Sequence, residues 1–206
     1  MIYIIITNRP RFLPFAIHQA EKCSYSKIVI LANGEGFEDF KTDHELIYKK
    51  EWRYAADCFN WYVDNCEIDD DIFLMDDDIY LKGDSCAECK GWIEKGFNKV
   101  VYTMTNLYDV QGGETCSILW RATRVGGAWA MSKDLWRQAK FADKSIEAMF
   151  IYFHRLPDHN VKKIIQPNIT HLIHNHNVVN KRKRNHIYKE ELNDPQLLTE
   201  LALIKE

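Results

Sequence analysis

Three short, continuously apolar runs constrain this chain more than any other feature of its sequence. They are IYIIIT (2–7), which is rich in β-branched residues, KIVILA (27–32) and IFLM (72–75). Runs without the alternation of a half-exposed strand are typical of strands that are buried on both faces of a parallel sheet. We therefore expect an α/β chain with these strands at the centre of its sheet.

Amphipathic helix patterns separate the three runs. Pro14 and the apolar residues around it predict a first helix, and residues 51–66 repeat apolar side chains at helical spacing, with Arg53 on the opposite, polar face. The remaining predicted elements are a helix within 85–96, strands at 99–104, 128–131 and 161–166, a loop-rich excursion over 106–124, a helix at 145–154, and a terminal helix that Asp194 caps and Pro195 opens.

Composition excludes several classes of protein. The chain has 206 residues, of which 46% are apolar, enough to bury a full core and too many for a disordered chain. The formal charge of −3 gives no global footprint for nucleic acid or membrane. The first residues show neither a basic region nor a long apolar region of a signal peptide, so we expect a cytoplasmic chain.

Six cysteines are expected to be reduced thiols in that setting. Cys86 and Cys89 form a CxxC, which is a zinc half-site or a redox motif in other proteins. Because the chain has no second CxxC and no thioredoxin-like pattern around this one, we interpret the pair as two thiols carried by a helix.

Two aspartate triplets flank the run IFLM, and they are expected to differ in role. Asp69 to Asp71 precede the strand and are interpreted as a solvated turn. Asp76 to Asp78 follow it, at the carboxyl end of a parallel strand, where α/β sheets bind ligands. In extended backbone Asp76 and Asp78 project to the same side and can approach one cation, whereas Asp77 points elsewhere.

Five segments in order along the chain resemble the family-two glycosyltransferases of GT-A fold. They are IYIIITNRP, KIVILANGEG, the block KKEWRYAADCFNWYVDNCEIDDDIFLMDDDIYL with its D-x-D motif, VGGAWAMSKDLW and HLIHNHN. The resemblance implies a GT-A-like, Rossmann-type sandwich with a central, mainly parallel sheet flanked by helices. It implies one catalytic domain over 1–180, with a nucleotide-sugar half (1–84) and an acceptor half (85–180), before a basic segment and C-terminal helix (181–206).

The resemblance also implies the activity, which is transfer of a sugar from a nucleoside-diphosphate sugar, expected to be a UDP-sugar, to a hydroxyl. A cation offsets the charge that grows on the departing diphosphate. The roles carried over place Asp76 at the ribose and Asp78 at the metal, with Asp77 as a further contributor to the nucleotide site. The nucleotide would also meet Thr7, Asn8 and Arg9, which end the first strand, and the arginine of the 51–66 helix.

A late histidine completes the metal sphere in this family, and His171 and His174 are the candidates. Their spacing of three suits one helical turn, and His176 follows them. Imidazole beside carboxylates favours Mn²⁺ over Mg²⁺. An inverting enzyme also needs a carboxylate base. FADKSIEAMF lacks the adjacent Glu-Asp pair of the family, so Glu147, Asp143 and Asp109 all remain candidates and the stereochemistry stays open.

Other functions are compatible with the same residues. The run KRKR (181–184) is interpreted as a solvated tail, a lid over the diphosphate, or a contact to a polyanionic acceptor such as DNA with hydroxylated bases. Carboxylates and histidines at a strand end also serve metal-dependent nucleotidyltransferases and phosphohydrolases. The basic run and exposed aromatic residues could instead belong to a nucleic-acid-binding module without enzymatic activity.

Overall fold

The computed structural model describes residues 1–103, 106–110, 114–117, 125–136, 160–165, 169–173, 188–190 and 194–204. Its strands are β1 (Ile2–Thr7), β2 (Lys27–Ala32), β3 (Glu45–Tyr48), β4 (Ile72–Asp76), β5 (Ile79–Leu81), β6 (Lys99–Thr103), β7 (Asn106–Asp109), β8 (Glu114–Ser117), β9 (Val125–Met131), β10 (Val161–Ile165), β11 (Ile169–Ile173) and β12 (Tyr188–Glu190). Its helices are α1 (Leu13–Glu21), α2 (Ala55–Asn65), α3 (Ser85–Glu94), α4 (Lys133–Trp136) and α5 (Pro195–Glu200). The helix predicted at 145–154 lies outside these residues.

A central sheet of seven strands organises the described residues, in the order β10-β6-β9-β4-β1-β2-β3. Four of the six neighbouring pairs are parallel, and β9 runs antiparallel to both β4 and β6. The three apolar runs of the sequence form β1, β2 and β4, side by side. The predicted α/β sandwich with a mainly parallel central sheet is therefore confirmed.

Helices cover both faces of this sheet, which explains why its central strands are apolar throughout. Tyr3 and Ile5 of β1 belong to the core on the face that α1 and α3 cover. Ile2 and Ile4, which point the other way, pack in the core that α2 supplies with Phe59 and other side chains. Since a residue and its neighbour in β1 are both buried, the strand has no solvent face that would show alternation.

A second sheet lies beside the first, in the order β12-β8-β7-β11-β5. The prediction of a loop-rich excursion over 106–124 is therefore wrong for β7 and β8, which pair with each other in antiparallel fashion. The sequence predictions also omitted β3 and β5. These strands are only three or four residues long, so their formation depends on partners distant in the chain rather than on a local pattern.

The C-terminal helix α5 packs against α1. Asp194 caps it as predicted by accepting a hydrogen bond from Leu197 N at 3.2 Å, and a 3₁₀ turn follows at Leu201–Leu203. The buried Glu200 carboxylate accepts hydrogen bonds from Gln19 Nε2 at 2.6 Å and Lys22 Nζ at 2.8 Å, both on or beside α1. Among the described helices, none has the length and apolar character needed to cross a membrane.

Candidate functional site

The candidate site lies where the chain changes direction across the central sheet. From β1 the chain adds β2 and then β3 on one side, and it returns to add β4 on the other side. The loops that follow β1 and β4 therefore diverge at the carboxyl ends of two adjacent parallel strands. Such a switch point is where open α/β sheets bind ligands. It carries Thr7 and Arg9 on one side and the second aspartate triplet on the other.

Asp77 joins the two sides of this switch point. Its carboxylate is buried, with 1% of the residue exposed. It accepts hydrogen bonds from the Thr7 hydroxyl and from Nε and Nη2 of Arg9, of which Nε lies 3.1 Å away. The Arg9 backbone N–H donates in turn to Thr7 Oγ1 at 3.0 Å. Three residues predicted to bind the nucleotide are thus brought together, and they hold one another.

Asp78 lies between Arg9 and His171. Its Oδ2 is 3.3 Å from Arg9 Nη1, and its Oδ1 is 3.0 Å from His171 Nε2. Both Asp78 and His171 are buried. His171 is in β11 and not in a helical turn, so the helical explanation of its spacing from His174 is wrong. It reaches Asp78 because β11 pairs with β5, and because Leu172 N donates to the Asp78 carbonyl oxygen at 2.8 Å.

The backbone turns within the triplet, which changes the predicted relation of its aspartates. Asp76 is the last residue of β4, whereas Asp77 and Asp78 form the turn that leads into β5. The prediction that Asp76 and Asp78 project together from extended backbone is therefore wrong. Asp76 lies instead against β9, where a Cβ added to Gly127 would lie 2.9 Å from Asp76 Cγ. Gly127 thus makes room for this carboxylate, a role that the sequence analysis missed.

Two of the predicted metal ligands, Asp78 and His171, are spaced as ligands of one divalent cation, whereas Asp76 is not. Two ligands in adjacent positions of an octahedral ion, each bonded at ~2.1 Å, lie ~3 Å apart. Asp78 Oδ1 and His171 Nε2 have this separation. Within the described ranges, however, the one group of three acidic, thiol or imidazole donors that all lie within 4.8 Å of one another is Cys23, Asp84 and Cys86. Asp76 is therefore not already gathered with Asp78 and His171.

The first triplet has structural contacts that the prediction of a solvated turn did not include. Asp71 Oδ1 accepts a hydrogen bond from Lys133 N at 2.8 Å, at the start of α4. Asp70 Oδ1 accepts one from the Asp71 backbone N–H, also at 2.8 Å. Asp69 is exposed, as a solvated turn requires. The two triplets occupy opposite ends of β4, so they do not form one acidic cluster.

The remaining candidates have varied positions. Arg53 is exposed and precedes α2, so it does not lie on the polar face of that helix as predicted; its backbone N–H donates to Asp57 Oδ2 at 3.2 Å. Asn8 is exposed in the loop after β1. Asp109 ends β7, beside Ile173 of β11. Three further candidates lie outside the described residues: Glu147, Asp143 and His174.

Comparisons with known proteins show the fold. No family model matches the chain, and no curated protein matches it. Solved structures do match it, at low sequence identity. A 4-diphosphocytidyl-2C-methyl-D-erythritol synthase from Anaerococcus prevotii DSM 20548 superposes with a TM-score of 0.53 at 13% identity, over 80% of this chain and 88% of that one.

Two other matches represent different transfer chemistries. A mannosyltransferase from Pyrobaculum calidifontis, in complex with GDP-Man and Mn²⁺, has a TM-score of 0.56 at 11% identity, over 84% of this chain and 56% of that one. The inositol-1-phosphate CTP transferase from T. maritima has a TM-score of 0.50 at 11% identity, over 82% of this chain and 88% of that one. The neighbours are thus nucleotidyltransferase-like and glycosyltransferase-like enzymes, and at these identities they show the fold alone.

Proposed function

We propose that this protein is a metal-dependent glycosyltransferase of GT-A type, which moves a sugar from a nucleoside-diphosphate sugar, a UDP-sugar in the first instance, to an acceptor hydroxyl. The observation that carries the proposal is the pairing of Asp78 with His171, 3.0 Å apart at the carboxyl end of the central strand β4. A carboxylate and an imidazole at that place suit a divalent ion that faces a nucleotide. The mannosyltransferase of the same fold was solved with a nucleotide sugar and Mn²⁺.

The residues at the end of β4 and in β11 would bind the ion, and those after β1 would bind the nucleotide. Asp78 and His171 would hold the ion, with Asp76 meeting the ribose or joining the ion when the nucleotide is present, and His174 as a further candidate ligand. When bound, the ion would offset the negative charge that develops on the departing diphosphate. Arg9, which Asp77 holds in place, would present its guanidinium to the same charge. Asn8 and Arg53, the other predicted nucleotide contacts, have exposed side chains in the loops that follow β1 and β3.

The acceptor must lose a proton as its oxygen attacks the sugar. Asp109 is the one candidate base within the described residues: β7 lies beside β11, and Leu107 pairs with His171 two positions earlier. Glu147 and Asp143 are the other candidates. We expect substitution of the true base to abolish transfer while donor binding persists, so Asp109→Asn, Glu147→Gln and Asp143→Asn should be compared in both assays.

A nucleotidyltransferase is the second candidate function, because most of the solved neighbours are of that kind. One feature of the chain favours the glycosyltransferase. Glycine-rich loops commonly cradle nucleotide phosphates through close backbone approach, yet NRPRF (8–12), which follows β1, contains no glycine. A loop of this kind is better suited to a donor whose diphosphate is neutralised by a cation and an arginine.

Product analysis separates the two functions. Incubation with nucleotide sugars and Mn²⁺ should release a nucleoside diphosphate, whereas incubation with a nucleoside triphosphate and a sugar phosphate should release no pyrophosphate. Pyrophosphate as the product would instead establish the nucleotidyltransferase. Oligonucleotides with hydroxymethylated bases should be included as acceptors, together with a variant whose KRKR run is changed to glutamines, to test the DNA hypothesis.

A further inference from the structure

A second group of potential metal ligands lies at the opposite end of α1 from the candidate site. The Sγ atoms of Cys23 and Cys86 and a carboxylate oxygen of Asp84 all lie within 4.8 Å of one another. Cys23 follows the C-terminal end of α1, and Ser26 N donates to the Met1 carbonyl oxygen, so this group lies at the amino end of β1. It is separated from Asp77 by the length of β1, about 20 Å at ~3.3 Å per residue.

The local structure holds these donors in fixed positions. Asp84 is the N-cap of α3, and its Oδ1 accepts a hydrogen bond from Ala87 N at 2.9 Å. Its Oδ2 accepts hydrogen bonds from the Ser24 hydroxyl and from Ser24 N, the latter at 2.9 Å. The carboxylate therefore ties the end of α1 to the start of α3. Cys86, in the first turn of α3, is fully buried, and Cys23 is 6% exposed.

The Cys23 and Cys86 thiols are close enough to affect each other's ionisation. A hydrogen bond from the Cys86 thiol, aided by the backbone N–H groups of Cys86 and Ser85, lowers the pKa of Cys23 despite its burial and the nearby charge of Asp84. The same hydrogen bond, together with burial, raises the pKa of Cys86. Cys23 Sγ also donates a hydrogen bond to the Gln19 carbonyl oxygen at 3.7 Å, so a cation that entered the group would take the place of the thiol protons.

We propose that Cys23, Asp84 and Cys86 form a binding site for a thiophilic divalent cation, Zn²⁺ in the first instance. Two thiolates and a carboxylate are Zn²⁺ ligands, whereas Ca²⁺ and Mg²⁺ take oxygen ligands. Two sulfurs on one tetrahedral Zn²⁺, each at ~2.3 Å, lie about 3.8 Å apart, which the present spacing can supply with little movement.

Cys89 is the candidate for a fourth ligand. It lies one turn after Cys86 on α3, is fully buried, and now donates a hydrogen bond to Tyr102 Oη at 3.6 Å. It belongs to the same buried core cluster as Cys23 and Cys86, which places it near the group. The CxxC that the sequence analysis interpreted as two helical thiols is indeed carried by α3. In this proposal it supplies half of a site whose other ligands come from the end of α1 and the N-cap of α3.

Cadmium titration of the reduced, full-length protein tests the site, because Cd²⁺ bound to thiolates gives an ultraviolet charge-transfer absorption that oxygen and nitrogen ligands do not give. We expect one equivalent of Cd²⁺ to saturate this absorption and Zn²⁺ to displace it. Cys23→Ser and Cys86→Ser should each reduce the absorption by at least half and weaken binding tenfold or more. Cys58→Ser, which removes a buried thiol from the opposite core, should leave both unchanged.

Asp84→Asn provides a test that does not depend on losing a thiol. Asparagine also caps helices, so the fold should be kept while the charged ligand is lost, and Cd²⁺ affinity should fall tenfold or more. Asp78→Asn, which alters the nucleotide site, should keep the absorption, so failure of the proposed function would not affect this result. Absence of the absorption at one equivalent, an undiminished absorption in Cys23→Ser, or a Cys23–Cys86 disulfide with no Cd²⁺ uptake would overturn the proposal.

Discussion

Asp77, the middle aspartate of the second triplet, links the loop after β1 to the turn after β4. Three consecutive aspartates are indistinguishable in composition, and an extended backbone would direct the middle one away from the site. The structure has a turn at Asp77 and Asp78, which directs the middle carboxylate to Thr7 and Arg9. The sequence placed Thr7, Arg9 and this triplet at strand ends, and the structure brings them together, but the contacts of each aspartate depend on a turn that the local sequence pattern does not predict.

Removal of Arg9 should destabilise the fold as well as the site. Arg9→Ala leaves the buried Asp77 carboxylate without its guanidinium partner, and losing one member of such a pair costs about 3 kcal/mol. Urea denaturation should therefore show a lower midpoint for Arg9→Ala. Arg11→Ala is the matched control, because both guanidinium groups lie about as far from the Phe12 ring, at 5.1 and 5.0 Å, and it should change the midpoint little. Equal midpoints for wild type and Arg9→Ala would show that the ion pair contributes nothing.

We predict that position 127 must be glycine because a side chain there would displace the Asp76 carboxylate. In Gly127→Ala the new methyl group would collide with the Asp76 carboxylate, so we expect nucleotide-sugar binding to weaken tenfold or more, as measured by calorimetry. Gly91→Ala is the control: a Cβ there meets nothing within 4 Å, and alanine in a helix stabilises by about 0.5–1 kcal/mol. Unchanged donor binding in folded Gly127→Ala would contradict a role for Asp76 in the site.

The strands that could best be predicted from the sequence are those that contain a run of apolar residues of their own. β1, β2 and β4 are buried along consecutive apolar residues, and the predicted bounds of β1 and β2 agree with the structure at both ends. β5 and β7 are short and stand in a sheet formed from distant segments, so they were missed. The error over His171 has the same origin, because its strand exists through pairing with β5 and β7.

The docking of α5 should depend on pH through Glu200. Burial would raise the pKa of this carboxyl, but hydrogen bonds from Lys22, Gln19 and Gln196 outweigh it and hold the pKa below the ordinary value of 4.5. A group whose pKa is lowered by folding stabilises the protein above its unfolded pKa, and this contribution is lost as the pH falls through the folded value. Stability measured by denaturation should therefore fall below about pH 4.5 more steeply in wild type than in Glu200→Gln. Parallel curves for the two proteins would contradict this account.

For the molecule as a whole, the sequence predicted the class of fold because the central sheet is built from the most apolar segments of the chain. The site required contacts between remote segments: Thr7 and Asp77 are 70 positions apart, and β11 brings His171 to the same turn. The order of the motifs along the chain indicated that these residues contribute to one site. The distances between them are set by the pairing of strands in the two sheets. The division into a nucleotide half, an acceptor half and a basic tail stays a prediction.

The central claim is that Asp78 and His171 bind a cation against a nucleotide sugar. Calorimetric titration of UDP-sugars and GDP-mannose, with and without Mn²⁺, tests it most directly on wild type, Asp78→Asn and His171→Gln, with Asp69→Asn of the first triplet as control. We expect donor binding that requires Mn²⁺, that weakens at least tenfold in both site variants, and that is unchanged in Asp69→Asn. Folded Asp78→Asn and His171→Gln proteins that bind Mn²⁺ and donor as tightly as wild type would contradict the claim.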